Sequence, residues 1–479
     1  MVFFNNLLNT GPDGPANHTV EIKRLALHGD GVGPIVSGDD RQGKVAFVPY
    51  TLPGETVAAQ PAEEKKNYLR CIPREILESS PDRITPSCPY HFSSHTTGLW
   101  CGGCNWQHMS SDRQREWKKA LVLETLHRLG HVLECPDIDL LHTEQNWRYR
   151  NTAQFVFDRR DEAPIAGYFA PGSHDVVSID DCLLQSSAAI RILNTVRHIL
   201  PELGLQPFAR KDGRGWLKHL LIRSNENGDA LITFVTADAR FPGRDQLIRG
   251  MTEKCPEITG IYQNVQPSRT SIVTGRKWMH LWGNHRLKES VCGLTLATSP
   301  GAFLQVNTGA AQLLYQRALQ EAQLQPGMTV LDLYCGAGAL ALMAAPTAAR
   351  VIGVDELDTA IEDARENARF NGIDRVAFQA MTAERFLQQA RDQKLLTGDR
   401  LVVFIDPPRA GCQQPVVKRL QSLAPSRIIY LSCNPATLAR DIEALSSAYH
   451  IASLTAVDLF PQTSHIETIA RLERKNAPA

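Results

Sequence analysis

The last third of the chain alternates continuously apolar runs with helical segments, and this alternation constrains the fold more than any other feature. Four apolar runs follow one another, at Val330–Leu333, Val351–Val354, Leu401–Ile405 and Ile428–Leu431. A helical pattern at Thr359–Phe370 separates two of them. Strands that are apolar throughout are typical of parallel sheets covered by helices on both faces. The pattern therefore predicts a Rossmann-like α/β domain over residues 291–479.

A glycine-rich turn follows the first of these strands. Residues 330–338 read V-L-D-L-Y-C-G-A-G, with Gly336 and Gly338 between a strand and an Ala-rich helix. Glycine lets the backbone turn sharply and approach a ligand closely. Asp355 ends the next strand, where a carboxylate can accept hydrogen bonds from two ribose hydroxyls. The turn therefore predicts a bound nucleotide or nucleoside.

Two cofactors are compatible with this turn. Gly336, Gly338 and Ala341 satisfy G-x-G-x-x-A, so the local pattern permits NAD. Asp332, inside the strand, favours S-adenosylmethionine, because a carboxylate attracts the methionine ammonium and repels a pyrophosphate. We therefore expect S-adenosylmethionine.

Reactive side chains follow the later strands. Asp406 begins D-P-P-R, Cys433 lies in S-C-N-P, and Glu467 ends F-P-Q-T-S-H-I-E. Ligands of open α/β sheets bind beyond the carboxyl ends of the strands. A cysteine at a strand end is often only a small core residue, and a turn with His and Glu is often only a surface loop. Their shared position at the ligand-binding edge favours catalysis.

A cysteine and a carboxylate are the minimum set for methylating carbon 5 of a uracil. A thiolate that adds at carbon 6 makes carbon 5 nucleophilic, and a base must later remove the carbon 5 proton. We predict Cys433 as the nucleophile and Glu467 as the base. Arg409 is a candidate for lowering the pKa of the thiol. The target base must also be unstacked from the RNA.

The first 290 residues have a different pattern. Short strands separated by Gly/Pro turns predict a small β-barrel over residues 15–75, with Gly29–Gly33 as one turn. Residues 76–290 read as an α+β domain, with a helix from about Ser111 to Leu129 and a strand within Trp147–Phe157. The chain is thus predicted to be multidomain α/β.

Eleven cysteines are spaced unevenly, which argues against a disulfide framework. Three of them share one loop with a C-G-G-C motif, and a fourth follows a strand. Four thiolates can hold an iron–sulfur cluster or a zinc ion, and free thiols are the third possibility. The four candidate ligands are Cys88, Cys101, Cys104 and Cys182.

Charge and hydropathy restrict the remaining possibilities. The formal net charge is 0, which counts mildly against a nucleic-acid partner, although a local basic groove remains compatible with it. No apolar run reaches the roughly 18 residues that a membrane helix needs. Met1–Leu8 is apolar but lacks the basic flank of a signal peptide. We expect a cytoplasmic monomer with no membrane partner.

The chain resembles the bacterial RNA 5-methyluridine methyltransferases, especially the branch that acts on ribosomal RNA. The resemblance runs from about residue 18 to residue 472. Its most specific parts are S-C-N-P-A-T-L-A-R-D at 432–441, F-P-Q-T-S-H-I-E at 460–467 and D-P-P-R-A-G at 406–411.

This resemblance implies more than the residues do alone. It implies that the small barrel is a TRAM domain that helps to hold RNA. It implies that the four cysteines bind a [4Fe-4S] cluster, and that the substrate is 23S ribosomal RNA. F-L-Q-V-N at 303–307 resembles the family's F-x-Q-V-N motif. The implied cofactor-binding residues are Gln305, Asp332, Tyr334, Gly336, Gly338, Asp355 and Asp406.

The chain departs from the family pattern in three places. Twelve residues separate Cys88 from Cys101, where the family usually has five, so Cys71, His91 or His95 compete with Cys88 as a ligand. Ala339 replaces a commonly polar residue. Thr382 stands where an acidic or amide side chain often contacts the adenine.

Three other functions compete with this prediction. A 5-methylcytidine methyltransferase typically carries a cysteine where Arg409 follows D-P-P, which disfavours that activity. An iron–sulfur RNA-binding protein without catalysis is favoured by Ala339 and Thr382 and opposed by Cys433 and Glu467. A tRNA substrate is the third alternative, and the tRNA-acting relatives usually lack the barrel and cluster modules.

Overall fold

The computed structural model describes residues 17–37, 41–93, 98–160, 163–210, 212–268, 270, 272–392, 396 and 398–475. Within that part of the chain the architecture is the predicted one, a small barrel, an α+β unit and a Rossmann-like domain. The predicted domain boundaries stay predictions, and residues 15 and 16 lie outside the described residues.

The N-terminal sheet closes into a small barrel. Its strand order is β1-β5-β6-β4-β3-β2, and an additional pairing of β1 with β3 joins the two sides. Alternate residues such as Val20, Val48 and Val57 point inward and are fully buried. The strands are β1 (His18–Glu21), β2 (Arg24–Leu25), β3 (Gly31–Ser37), β4 (Val45–Val48), β5 (Thr56–Glu64) and β6 (Tyr68–Glu78).

The predicted turn at Gly29–Gly33 is wrong in its second half. Gly31, Val32 and Gly33 belong to β3. A Cβ on Gly33 would lie 1.6 Å from the carbonyl oxygen of Glu21 on β1. The glycine therefore marks a close approach of two barrel strands, and such a contact has the same sequence signature as a turn.

Helix α1 (Ser111–Gly130) and strand β7 (Ile138–Leu141) follow the barrel. The helix begins where predicted, because the Ser110 hydroxyl accepts a hydrogen bond from the Arg113 backbone N–H. Strand β7 pairs in parallel with a strand of the C-terminal sheet. The connection between barrel and central sheet thus contributes to the C-terminal domain, whereas the predicted boundaries place it in the central one.

The central unit is a seven-stranded sheet of order β10-β9-β8-β11-β12-β13-β14, covered on one face by helices. The predicted strand at Trp147–Phe157 begins only at Thr152. The elements of the central unit are β8 (Thr152–Arg160), β9 (Ala163–Phe169), β10 (Val176–Ser178), α2 (Ser187–Glu202), β11 (Leu217–Ser224), β12 (Ala230–Thr236), α3 (Arg244–Lys254), β13 (Ile258–Val265), β14 (Lys277–Gly283) and the hairpin of β15 (Leu287–Val291) and β16 (Leu294–Thr298).

The C-terminal sheet has eight strands in the order β19-β18-β17-β20-β21-β23-β22-β7. Strands β17 to β21 are parallel, and β23 inserts antiparallel to β21. Its elements are α4 (Thr308–Ala322), β17 (Thr329–Leu333), α5 (Ala339–Ala344), β18 (Arg350–Asp355), α6 (Asp358–Phe370), β19 (Val376–Ala380), α7 (Ala383–Asp392), β20 (Leu401–Ile405), α8 (Gln414–Leu423), β21 (Arg427–Ser432), α9 (Pro435–Leu445), β22 (Tyr449–Val457) and β23 (Glu467–Arg474).

A buried ion pair fixes α1 to the segment that follows β22. Lys118 of α1 is 0% exposed and donates to Asp458 at 2.6 Å and to the Phe460 carbonyl at 3.1 Å. Removing one partner of a buried pair leaves an uncompensated charge. We expect Lys118→Met to lower the free energy of unfolding by about 3–5 kcal/mol in chemical denaturation.

The neighbouring Lys119, which is partly exposed, provides the control. Lys119→Met should change stability by less than about 0.5 kcal/mol. The double replacement Lys118→Met with Asp458→Leu should recover most of the loss. A single variant as stable as the parent chain would contradict the importance of this ion pair.

Candidate active site

The carboxyl ends of β17, β18, β20 and β21 meet at one edge of the C-terminal sheet. Strand β23 runs the other way and begins at this edge with Glu467. Ser432, the last residue of β21, pairs with Thr468 of β23. Cys433 directly follows Ser432, and Glu467 directly precedes Thr468. The two residues therefore lie at the same edge of the sheet on neighbouring strands.

The environment of Cys433 favours the protonated thiol. Cys433 is half-buried, and burial together with the neighbouring Glu467 carboxylate raises its pKa to about 11. Arg409 lowers this pKa and Asp406 raises it. Arg409 thus has the electrostatic effect expected from the sequence, but burial and the two carboxylates outweigh it.

Glu467 is a strongly perturbed carboxyl group. It is 3% exposed, and burial raises its pKa well above the usual value, with Asp406 adding to the shift and Arg409 opposing it. Burial also raises the pKa of Asp406 to about 6. A carboxylate with a raised pKa is a stronger proton acceptor once ionised. Glu467 is therefore suited to removing a proton beside a sulfur.

The first turn of α9 positions the D-P-P-R loop. The Arg409 carbonyl accepts hydrogen bonds from Asn434 Nδ2 at 3.0 Å and from the Thr437 hydroxyl at 3.4 Å. Asn434 also caps α9, because its Oδ1 accepts from the Ala436 N–H at 3.1 Å. The S-C-N-P and D-P-P-R motifs therefore form one unit around Cys433.

The glycine-rich turn packs closely against strands β18 and β19. Gly338 has φ +88°, and a Cβ there would lie 2.8 Å from the Phe378 ring. Tyr334, half-buried, also has a positive φ of 64°. The Gly336 N–H donates to Asp355 Oδ2, and the Leu357 N–H donates to Oδ1, both at 3.0 Å.

The buried carboxylate of Asp332 contacts the helix that follows the turn. Asp332 is 1% exposed, and its Oδ2 accepts from the Ala341 N–H at 3.0 Å. Burial raises its pKa well above the usual value, with Asp406 contributing in the same direction. The structure thus gives Asp332 a role in holding α5, which the sequence did not indicate.

The F-L-Q-V-N segment connects three parts of the chain. Gln305 is buried, and its carbonyl accepts from Asn151 Nδ2 at 2.9 Å. Asn307 caps α4 through the Ala310 N–H and donates to the Leu459 carbonyl at 3.1 Å. These hydrogen bonds fix the backbone at Gln305 and join the F-L-Q-V-N segment to the chain that precedes Glu467.

The two departures in the cofactor region have structural roles. Ala339 begins α5 and is buried. The Thr382 hydroxyl accepts from the Arg385 N–H at 3.3 Å at the start of α7. A small apolar residue and a helix cap are compatible with the same backbone path around a ligand.

We expect Asp355→Ala to raise the dissociation constant for S-adenosylmethionine roughly 10- to 100-fold, because charge-assisted hydrogen bonds contribute about 1.5–3 kcal/mol each. Isothermal titration calorimetry measures this constant directly. Asp358→Ala, an exposed carboxylate at the start of α6, should leave it within about twofold. Equal effects of the two replacements would contradict the assignment of Asp355.

The four candidate cysteines lie on one cavity. Cys88, Cys101, Cys104 and Cys182 line a space of about 510 Å³ between their loop and the central sheet. Burial raises the pKa of Cys104 well above its usual value, and the neighbouring Cys101, Cys182 and Cys88 thiols add to this shift. Gln107 Nε2 donates to the Cys104 sulfur at 2.8 Å, and the Gly103 N–H donates to the Cys101 sulfur at 3.3 Å.

Thiolates of this kind can hold either a zinc ion or an iron–sulfur cluster. Among the described residues, no group of three or more His, Cys, Asp or Glu side chains is arranged to hold a single metal ion. The four cysteines of a [4Fe-4S] cluster bind four different irons and are further apart than the ligands of one ion. Buried thiols with N–H donors suit such a cluster.

The three alternatives to Cys88 as a ligand lie in different places. Cys71 is 2% exposed and packs in the interior of the barrel. His91 lines the cysteine cavity, and burial lowers its pKa to about 4, so it is neutral. His95 lies outside the described residues.

Several residues that contact the candidate active site were not identified from the sequence. Asn105, Gln114 and Tyr149 donate hydrogen bonds to the segment between β22 and β23. They lie more than 300 positions away along the chain, and no motif or periodicity marks them.

In the part of the chain that the structure describes, no helix is long and apolar enough to cross a membrane.

Comparison with known proteins identifies the family. Residues 292–475 match the sequence profile described as tRNA (Uracil-5-)-methyltransferase. An uncharacterised RNA methyltransferase of Halalkalibacterium halodurans is 35% identical over 462 residues, which cover 96% of this chain and 98% of that protein. One of Oceanobacillus iheyensis is 34% identical over 461 residues, covering 96% of each chain.

A solved structure shows the same fold. The tRNA (uracil-54, C5)-methyltransferase of Pyrococcus abyssi, in complex with S-adenosyl-L-homocysteine, superposes with a TM-score of 0.73 at 24% identity. The match covers 95% of this chain and 100% of that one. The chain therefore belongs to the family of S-adenosylmethionine-dependent RNA uracil-5-methyltransferases.

Proposed function

We propose that this protein methylates carbon 5 of one uridine in 23S ribosomal RNA, through a transient bond between the Cys433 sulfur and carbon 6 of the base. The pairing of Ser432 with Thr468 carries this proposal, because it brings the sulfur and the Glu467 carboxylate to neighbouring strand ends. Besides burial, the Glu467 carboxylate raises the pKa of Cys433, which supports the proximity of the two groups.

The first step forms the covalent bond. The Cys433 thiol loses its proton to solvent, and the thiolate attacks carbon 6. The electron pair of the C5–C6 double bond moves onto the carbon 4 carbonyl oxygen and gives an enolate. Arg409 is the cation that favours the thiolate.

The second step uses the cofactor, which the glycine turn at Gly336 and Gly338 is proposed to hold together with five side chains: Gln305, Asp332, Tyr334, Asp355 and Asp406. S-adenosylmethionine supplies an electrophilic methyl group on a sulfonium. Carbon 5 of the enolate would take this methyl group as the sulfur–methyl bond breaks and S-adenosylhomocysteine leaves, and would then carry both a methyl group and a hydrogen.

The last step releases the product. The Glu467 carboxylate removes the carbon 5 proton, the C5–C6 double bond re-forms, and the Cys433 thiolate leaves carbon 6. A buried carboxylate with a raised pKa is suited to this abstraction. Both residues come from one chain, which fits a monomeric enzyme.

The other modules have proposed roles in holding RNA and in stability. We assign the barrel as the TRAM domain, within proposed boundaries of 15–75, 76–290 and 291–479. Cys88, Cys101, Cys104 and Cys182 would hold the [4Fe-4S] cluster. No step above requires an electron, so the cluster would be structural.

A tRNA substrate is the second candidate. The structural match to a tRNA-acting enzyme covers 95% of this chain, so the extra modules alone do not exclude tRNA. The resemblance of the three motifs to the ribosomal branch favours 23S RNA.

The test compares unmodified transcripts of 23S ribosomal RNA and of a tRNA pool as methyl acceptors, with labelled S-adenosylmethionine. We expect 5-methyluridine at one position of the ribosomal RNA and background incorporation into tRNA. Efficient methylation of tRNA with none in ribosomal RNA would replace the first proposal by the second.

The raised pKa of Cys433 predicts a pH dependence. Since the reactive species is the thiolate and the pKa is about 11, the thiolate fraction rises about tenfold per pH unit from pH 7 to 9. The rate of adduct formation with 5-fluorouridine RNA in single turnover should rise in the same proportion. A rate that is flat over this range would show that the thiolate is already formed at pH 7.

A further inference from the structure

The segment that precedes Glu467 is held by residues from the first quarter of the chain. This catalytic loop, Asp458–Ile466, joins β22 to β23. Lys118 of α1 bonds the start of this loop. Of the other residues from the cysteine loop and from α1 that contact it, we call three the brace: Asn105, Trp106 and Gln114.

Asn105 and Ser464 form a reciprocal pair. Asn105 Nδ2 donates to the Ser464 hydroxyl at 3.1 Å, and the Ser464 N–H donates to Asn105 Oδ1 at 3.0 Å. Both side chains also donate to the His28 carbonyl at 3.0 Å. One asparagine thus ties the catalytic loop to the barrel.

Gln114 and Trp106 hold Gln462 from three sides. The Gln462 N–H donates to Gln114 Oε1 at 2.8 Å, and Gln114 Nε2 donates to Gln462 Oε1 at 3.0 Å. The Trp106 N–H donates to the Gln462 carbonyl at 3.1 Å. Gln114 is 1% exposed, so these bonds do not compete with water.

Gln462 has a backbone conformation that needs such support. Its φ is +69°, in the left-handed region of the backbone that residues other than glycine rarely adopt. A strained residue persists only where its surroundings over-determine it. The brace binds the backbone N–H, the backbone carbonyl and the side chain of this residue.

Cys433 is held independently of the brace. It lies between β21 and α9, and the bonds that fix its neighbours come from Ser432, Asn434 and Thr437. The brace therefore acts on the base side of the site and not on the nucleophile side.

We propose that Asn105 and Gln114 are positioning residues that set the geometry in which Glu467 removes the carbon 5 proton. The proposal rests on the proposed function of Glu467. Because Asn105 follows Cys104 directly, the packing of the cysteine loop is coupled to the catalytic loop. Loss of the brace should slow the elimination step more than the formation of the adduct.

The first readout requires neither RNA nor activity. Hydrogen exchange of the peptide 459–467 is compared in the full-length protein, Asn105→Ala, Gln114→Glu and Asn284→Ala. Gln114→Glu places an oxygen opposite the carbonyls of Trp106 and Met109, which now accept from Nε2. Asn284 is an exposed asparagine between β14 and β15, and its replacement is the control. We expect exchange about tenfold faster in both brace variants and unchanged in the control.

The second readout is the covalent adduct on ordinary uridine-containing 23S transcript. A brace variant should form methylated adduct and release it slowly, so the protein–RNA complex accumulates as it should in Glu467→Gln. Asn105→Asp keeps the acceptor for the Ser464 N–H and should recover part of the turnover. If Gln114→Glu does not fold, Asn105→Ala, at a half-buried position, carries the test.

The outcomes separate the two proposals. No adduct in either the parent chain with 5-fluorouridine RNA or Glu467→Gln with uridine RNA would overturn the proposed function. A stable adduct in Glu467→Gln, with neither faster exchange nor adduct accumulation in the brace variants, would overturn only the positioning role.

Discussion

Replacement of Cys433 by alanine is expected to reduce methyl transfer by at least about 10⁴-fold, because the other described thiols near this sheet edge, Cys335 and Cys412, are buried. Binding of S-adenosylmethionine should stay within about twofold of the parent chain, since Cys433 precedes α9 and the cofactor residues follow other strands. Single-turnover methylation and calorimetry measure the two quantities.

Cys135→Ala provides the matched control for this replacement. Cys135 is half-buried between α1 and β7, far along the chain from the strand ends. We expect turnover close to that of the parent chain. Residual activity of Cys433→Ala above one-tenth would show that another group forms the bond to carbon 6.

Glu467→Gln has a different signature from Cys433→Ala. Turnover should fall about 10²–10⁴-fold, because general-base catalysis contributes that much. Methyl transfer in the first turnover should remain, and the methylated adduct should persist on ordinary uridine RNA. Denaturing gels with labelled RNA show the trapped complex, and mass spectrometry shows whether it carries the methyl group.

The control for Glu467→Gln is Glu443→Gln, an exposed carboxylate on α9. It should neither slow turnover nor accumulate adduct. If Glu467→Gln lowers adduct formation and turnover equally, its carboxylate acts before the elimination and not in it.

The parallel sheet was predictable because its strands are buried on both faces. Leu401–Ile405 is apolar at every position, and the structure reproduces that strand without a shift. The same physical reason made the strand ends recognisable, since a polar residue directly after such a run marks the ligand-binding edge.

Other features depend on contacts that a sequence pattern does not carry. Gly31 and Gly33 look like turn residues but lie in a barrel strand, where a side chain would collide with Thr51 at Gly31 and with the β1 backbone at Gly33. Gln114 has an ordinary place in a helical pattern, and only its burial against Gln462 gives it a role. Strand β7 ends at Leu141, but it joins a sheet whose other strands begin only at Thr329.

Identification of the protein residue that becomes linked to 5-fluorouridine RNA tests the central claim most directly. The fluorine blocks the final proton removal, so the complex should be trapped in the presence of S-adenosylmethionine. Protease and nuclease digestion followed by mass spectrometry should give a peptide with Cys433 joined to one methylated 5-fluorouridine. Linkage through another residue, or a methylated RNA product with no linked peptide, would contradict the mechanism.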